Sequence, residues 1–119
     1  MMPNQFRRLA LAIPGAVEAS HMNHPDFRIG GRIFATLGYP DDHFGMVKLS
    51  PADQRLFIEK APAVFAPCAG AWGRNGATSV ALRKAKTSEV QLALKAGAQL
   101  LHPGVEMKKI SRPRRRPKL

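Results

Sequence analysis

The 119-residue chain is poor in several things at once: it has one cysteine, one tryptophan and one tyrosine. A single cysteine, Cys68, can form no intrachain disulfide and excludes a cysteine-rich metal site. Acidic residues are scarce, with 8 Asp and Glu against 19 Lys and Arg. Long apolar runs are missing, and nothing approaches the roughly 20 residues that a membrane-spanning helix needs. The stretch "QFRRLALAIPG" (residues 5–15) sets arginines before an apolar run, but that run is too brief for a signal-peptide core. A lone thiol and no secretory pattern lead to the expectation of a cytoplasmic protein.

Catalytic and cofactor patterns are also wanting. His21, His24 and His43 stand near Asp26, Asp41 and Asp42. No HxH, HExxH or Cys–His spacing joins them, so solvated turn residues are the better account than a metal site. His24 with an acidic neighbour could serve a small enzyme, but a structural role before Pro25 is favoured. Nothing pairs Cys68 with a base that would activate it. "GAWGRNG" (70–76) is rich in glycine, yet it lacks both the lysine-serine/threonine ending of a P-loop and the dinucleotide fingerprint. A tight loop with Trp72 folded over the core edge is expected there. The reading is of a protein without catalytic residues, metal or cofactor.

What is present is positive charge. The formal net charge is +11 and the isoelectric point about 11.0, with 45% apolar residues. This length suits one domain able to bury about two-thirds of its unfolded surface. The excess of cations points to a polyanion, nucleic acid before an acidic protein or a membrane surface.

Along the chain, Asn4 is a candidate N-cap for a helix carrying Phe6, Leu9, Ala10 and Ile13 on one face, stopped by Pro14-Gly15. "AVEASHMNHP" (16–25) suggests an irregular first strand. Phe27–Ile29 and Ile33–Leu37 read as strands joined by Gly30-Gly31, which supplies the positive φ angles of a tight hairpin, with Arg28 and Arg32 exposed beside the turn. "FGMVKLS" (44–50) predicts another antiparallel strand, with Val47 and Leu49 on one face and Met46 and Lys48 on the other. Ser50 caps a helix that has Pro51 at its first position and runs to about Lys60. A short strand, the Gly-rich loop and a strand near Thr78–Arg83 follow. A last helix starts at Thr87-Ser88, where Ser88 and Gln91 are spaced as a capping box. It buries Val90, Leu94, Gly97 and Leu101. Adjacent antiparallel strands with three main helices set apart imply a single α+β domain over residues 1–105.

From 106 to 119 the composition predicts a disordered basic tail. Setting aside its seven positive charges and one negative takes the formal charge from +11 to +5. Two groups of cations are therefore candidates for nucleic-acid contact. Arg28, Arg32, Lys48, Arg74, Arg83, Lys84 and Lys86 lie on or beside predicted strands, where arginine's planar fork suits phosphate. Lys108, Lys109, Arg112, Arg114, Arg115, Arg116 and Lys118 make up the tail. The tail has no interleaved aromatics, so stacking on single strands is not expected of it. Duplex DNA is the favoured partner, bound by a monomer or weak homodimer without a membrane. The alternative is a small interaction or ligand-binding protein whose charge serves solubility or an acidic partner.

The ordered set "HPDFRIGGRIFATLG" (24–38), "VKLSPADQ" (47–54) and "FAPCAGAWGRNGATSVAL" (65–82) resembles the MmcQ/YjbR family of small bacterial proteins over about residues 4–102. The resemblance implies an antiparallel α+β fold likened to the double-wing domains of phage transcription factors, and a predicted DNA-binding role. His24, Phe27, Lys48, Trp72 and Gly73 match the family pattern. It implies that the first two hold the hairpin and that Lys48 is the better candidate for outside contact. Two departures stand out: Ala77 where many members carry an aromatic, and the basic tail beyond the usual family end.

Overall fold

The computed structural model describes residues 1–101. The elements run α1 (Pro3–Leu11), β1 (Val17–His21), β2 (His24–Ile29), β3 (Arg32–Leu37), β4 (Phe44–Lys48), α2 (Pro51–Lys60), β5 (Phe65–Pro67), α3 (Gly70–Arg74), β6 (Ala77–Ala81) and α4 (Thr87–Leu101). The strands form one antiparallel sheet in the order β1-β2-β3-β4-β6-β5. This is the expected α+β class, with three longer helices and the five-residue α3 beside them. The boundary expected at 105 and the tail beyond it lie outside the described residues.

The register decides which side chains meet. Phe27, Ala35, Val47 and Thr78 are cross-strand partners in one row. They face α1 and α4, whose Phe6, Ala10, Val90, Leu94 and Ala98 are buried against them. Burying each large apolar side chain of this core stabilises the fold by about 1.5–3 kcal/mol. One residue along, Ala19, Asp26, Thr36, Met46, Ser79 and Ala66 form the adjacent row, and strand alternation turns them to the opposite face. Among the described residues, no long helix covers that second face.

A bulge sharpens the separation. Phe27 pairs with Ala35 but Arg28 pairs with Ile33, so Phe34 is the extra residue. Phe34 and Ala35 are both fully buried, while Ile33 is turned to the second face with Arg28. Simple alternation along "IFATL" cannot anticipate this.

Several local expectations hold. Gly30 and Gly31 take φ +59° and +81°, as the hairpin requires. Ser50 Oγ accepts the Asp53 N–H at 3.1 Å with Pro51 at the first helical position. Others shift for identifiable reasons. α1 starts at Pro3, whose missing N–H is harmless there, and Gln5 Oε1 accepts the Met2 N–H at 2.7 Å, so Asn4 is inside the helix. The "irregular" first strand is a regular hairpin arm, because Met22 (φ +50°) and Asn23 (φ +68°) make a two-residue turn into β2. Pro25 fits in β2 because its pairing is with Ser20, outside the β2–β3 ladder. The last strand ends at Ala81, since Leu82 turns into the core and its N–H bonds the His43 carbonyl at 2.9 Å. At the start of α4 it is Glu89 that reaches back, accepting the Lys86 N–H at 2.9 Å near the positive helix end.

Candidate functional site

The uncovered sheet face carries a trough made of two adjoining cavities. The first, about 270 Å³, is lined by His21, Met22, His24, Tyr39, Cys68 and Trp72 over Thr36 and Met46. The second, about 290 Å³, shares His21, Thr36, Met46 and Trp72 and adds Arg32, Ile33, Lys48 and Leu101. One end is thus almost wholly apolar and aromatic, and the other is cationic.

Trp72 is the shared wall, and its position has a backbone cause. A Cβ on Gly73 would lie 1.7 Å from the Cys68 carbonyl oxygen, so only glycine lets α3 turn this closely after β5. Gln54, buried on α2, donates from Nε2 to the Gly73 carbonyl (3.0 Å) and the Ala77 carbonyl (3.1 Å). These contacts hold α3 against the start of β6 and leave Trp72 49% exposed over the second face. A tight loop with Trp72 folded over the core edge is expected from sequence; the segment is instead a short helix that sets Trp72, half exposed, in the wall of the trough. Gly73 and Gly76 serve close backbone packing, and Gly70 supplies a positive φ.

Under the trough lies a fully buried carboxylate. Asp26 Oδ1 accepts from Arg28 Nε at 2.7 Å and Oδ2 from Arg28 Nη2 at 3.0 Å. His21 Nδ1 is 2.7 Å from Oδ2. The Arg28 fork holds the Asp26 carboxyl below the usual carboxylate range; burial opposes this, and the His21 hydrogen bond adds to it. The same contact raises the Arg28 guanidinium above its ordinary value. Because the carboxylate only accepts, His21 donates to it through Nδ1, and Nε2 is the ring nitrogen turned away from Asp26. His24 packs edge-on against Tyr39, with ring centroids 6.2 Å apart. Burial pushes the Cys68 thiol up, away from nucleophilic reactivity. Among the described residues no group of three or more His, Cys, Asp and Glu could hold a metal ion.

The cations singled out from sequence separate into groups. Arg32 and Lys48 line the same cavity, and neither makes an ion pair among the described residues. Arg28 lies on the same face but is half-buried and engaged by Asp26, so it is not exposed beside the turn as Arg32 is. Arg74 is exposed at the end of α3. Arg83, Lys84 and Lys86 are exposed at the other end of the strands: Lys48 pairs with Ala77, whereas Ala81 pairs with Phe44. Those registers are four residues, or about 13 Å, apart. Arg83 there bonds His43 Nε2 at 2.7 Å. Lys108, Lys109, Arg112, Arg114, Arg115, Arg116 and Lys118 lie outside the described residues. His21, Asp26, Tyr39 and Gln54 were not picked out as site residues from sequence: the β1–β2 pairing brings His21 to Asp26, Tyr39 packs on His24, and Gln54 braces α3 from α2.

A family model described as YjbR matches residues 11–96, well over half the chain. The chain belongs to the YjbR family. The matched span covers every element of this YjbR domain from the end of α1 to most of α4, and so includes nearly all of the trough. The fold is similar to the crystal structure of Deinococcus radiodurans protein DR2400, described by the domain family DUF419. The TM-score is 0.71 at 15% identity, covering 92% of this chain and 86% of that one. No curated protein matches the sequence. Among the described residues of the YjbR domain, no helix is long and apolar enough to cross a membrane.

Proposed function

We propose that the protein is a non-enzymatic nucleic-acid-binding protein that uses the uncovered sheet face together with its basic C-terminal segment. One observation carries this reading: Arg32 and Lys48 come from different strands, line one cavity and have no acidic partner among the described residues. Two unpaired cations beside an exposed tryptophan suit phosphate and base on one ligand. Leu101, the last described residue, lines the same cavity, and the sequence after it carries seven Lys and Arg between 108 and 118. DNA in the cytoplasm is the expected partner, bound by a monomer or weak homodimer; a reduced Cys68 suits that compartment.

The alternative, a small interaction or ligand-binding protein, is favoured by the apolar cavity, which a pure backbone binder does not need. Fluorescence anisotropy with labelled DNA across a salt series, on the whole chain and on residues 1–106, separates the two. Binding with a measurable salt slope that survives removal of residues 107–119 supports a binding face on the folded body. Absence of binding by the whole chain refutes the proposal.

A further inference from the structure

We infer that the trough is a single-nucleotide site. The apolar cavity takes one unpaired base against Trp72, and the adjoining cavity takes its phosphate at Arg32 and Lys48. This rests on the reading above and narrows it to nucleic acid with unstacked bases, or to a free nucleoside monophosphate presenting the same chemistry.

Three features support the assignment. The first is polarity along one continuous hollow. The two cavities share His21, Thr36, Met46 and Trp72, yet one ends in aromatic and sulfur-bearing side chains and the other in two cations. A ligand that fills it has a flat apolar body and an anion at one end. The second is size. Each cavity is near the lower end, about 300 Å³, of ordinary small-ligand sites, so it holds a fragment as small as one base or one sugar phosphate. A base in a duplex would have to be flipped out to enter, whereas a single strand offers it at once.

The third feature is where polar atoms face the apolar half. His21 has Nδ1 committed to the buried Asp26, so Nε2 is the ring nitrogen left to hydrogen-bond a ligand. Thr36 contributes a hydroxyl from the floor. Every base carries an N–H on its Watson–Crick edge, so this pair can hold a base without choosing one. Tyr39, 62% exposed, offers a second aromatic surface at the far end of the same cavity. Stacking on such surfaces is tolerant of sequence, as a general single-strand binder requires.

Trp72 is the only tryptophan, so its emission reports on the site directly. The whole chain is titrated with single-stranded oligothymidylate of about 12 nucleotides, an abasic strand of equal length, the matching duplex, thymidine monophosphate and polyglutamate. Anisotropy of labelled strands gives affinity independently of Trp72. The single strand is expected to quench Trp72 and to bind about 5- to 100-fold tighter than the abasic strand. Trp72→Ala should erase that advantage and leave abasic binding unchanged, while Trp72→Phe keeps most of it.

Equal affinity for base-bearing and abasic strands overturns the base site but leaves nucleic-acid binding standing. So does a duplex that binds at least as tightly as the single strand without perturbing Trp72. If thymidine monophosphate quenches Trp72 as tightly as the strand does, the site holds and its ligand is the free nucleotide. Polyglutamate binding as tightly as any strand of equal charge overturns both the site and the nucleic-acid reading, leaving an acidic protein as the partner class.

Discussion

Replacing Arg32 and Lys48 with alanine tests whether a defined surface, rather than bulk charge, contacts nucleic acid. Both side chains line one cavity and neither pairs with a carboxylate among the described residues, so each is available to one phosphate. Each phosphate contact on a single strand contributes about −0.7 to the slope of log affinity against log salt. If about five of the seven tail cations also engage, the whole chain should show a slope near −5. The double variant should fall to about −3.5, and loss of residues 107–119 should leave about −1.4. At about 100 mM salt, a slope change of roughly 1.4 weakens binding by about 25-fold.

The assay is anisotropy of a labelled oligonucleotide between about 50 and 200 mM salt. Arg83→Ala with Lys84→Ala is the control, because it removes the same charge about 13 Å away at the opposite strand end. That distance exceeds the Debye length of about 8–10 Å near physiological salt. The control should change the slope by less than half as much. Equal slopes for the two double variants would refute the idea of a localised site, and an unchanged slope in Arg32→Ala/Lys48→Ala would remove these residues from the interface.

The remaining expectations concern the supports of the trough. Asp26 has its folded-state pKa depressed chiefly by Arg28, so its stabilisation is present above the unfolded value of about 3.9 and is lost as pH falls through the folded value. Urea melts of Asp26→Asn and the unaltered protein should differ at pH 7, and the gap should begin to close below about pH 4 and vanish only once pH is under the depressed folded value; a gap that persists unchanged into acid would disprove the linkage. Gly73→Ala forces a Cβ into the Cys68 carbonyl and should cost at least about 2 kcal/mol and shift Trp72 emission; a melt like that of the unaltered protein would show that α3 yields freely. Gln54→Ala removes the Nε2 hydrogen bonds to the Gly73 and Ala77 carbonyls, which keep backbone donors in Gly76 and Cys68, and should cost about 1–3 kcal/mol for the two bonds together in denaturant melts; an unchanged melt would show that these bonds do not hold α3 in place.

Much of the architecture could be read directly from local chemistry. Gly30-Gly31 demands a turn, Ser50-Pro51 starts a helix, and Val47 and Lys48 take opposite faces because a strand repeats every two residues. The cationic excess and the single thiol are compositional facts that no fold alters. These belong to the sequence because each rests on a residue and its near neighbours.

Tertiary structure alone decided the site. Arg32, Lys48 and Trp72 meet only through the β3–β4–β6 pairing and the close turn at Gly73, which no spacing in the chain encodes. It also removed Arg28 from the free cations, since Asp26 captures it across one intervening residue of the same strand face. The bulge at Phe34 sent two consecutive residues into one core, against the period that a sequence reader must assume. Side chains far apart in sequence come together only where register and packing put them, and those depend on every strand at once.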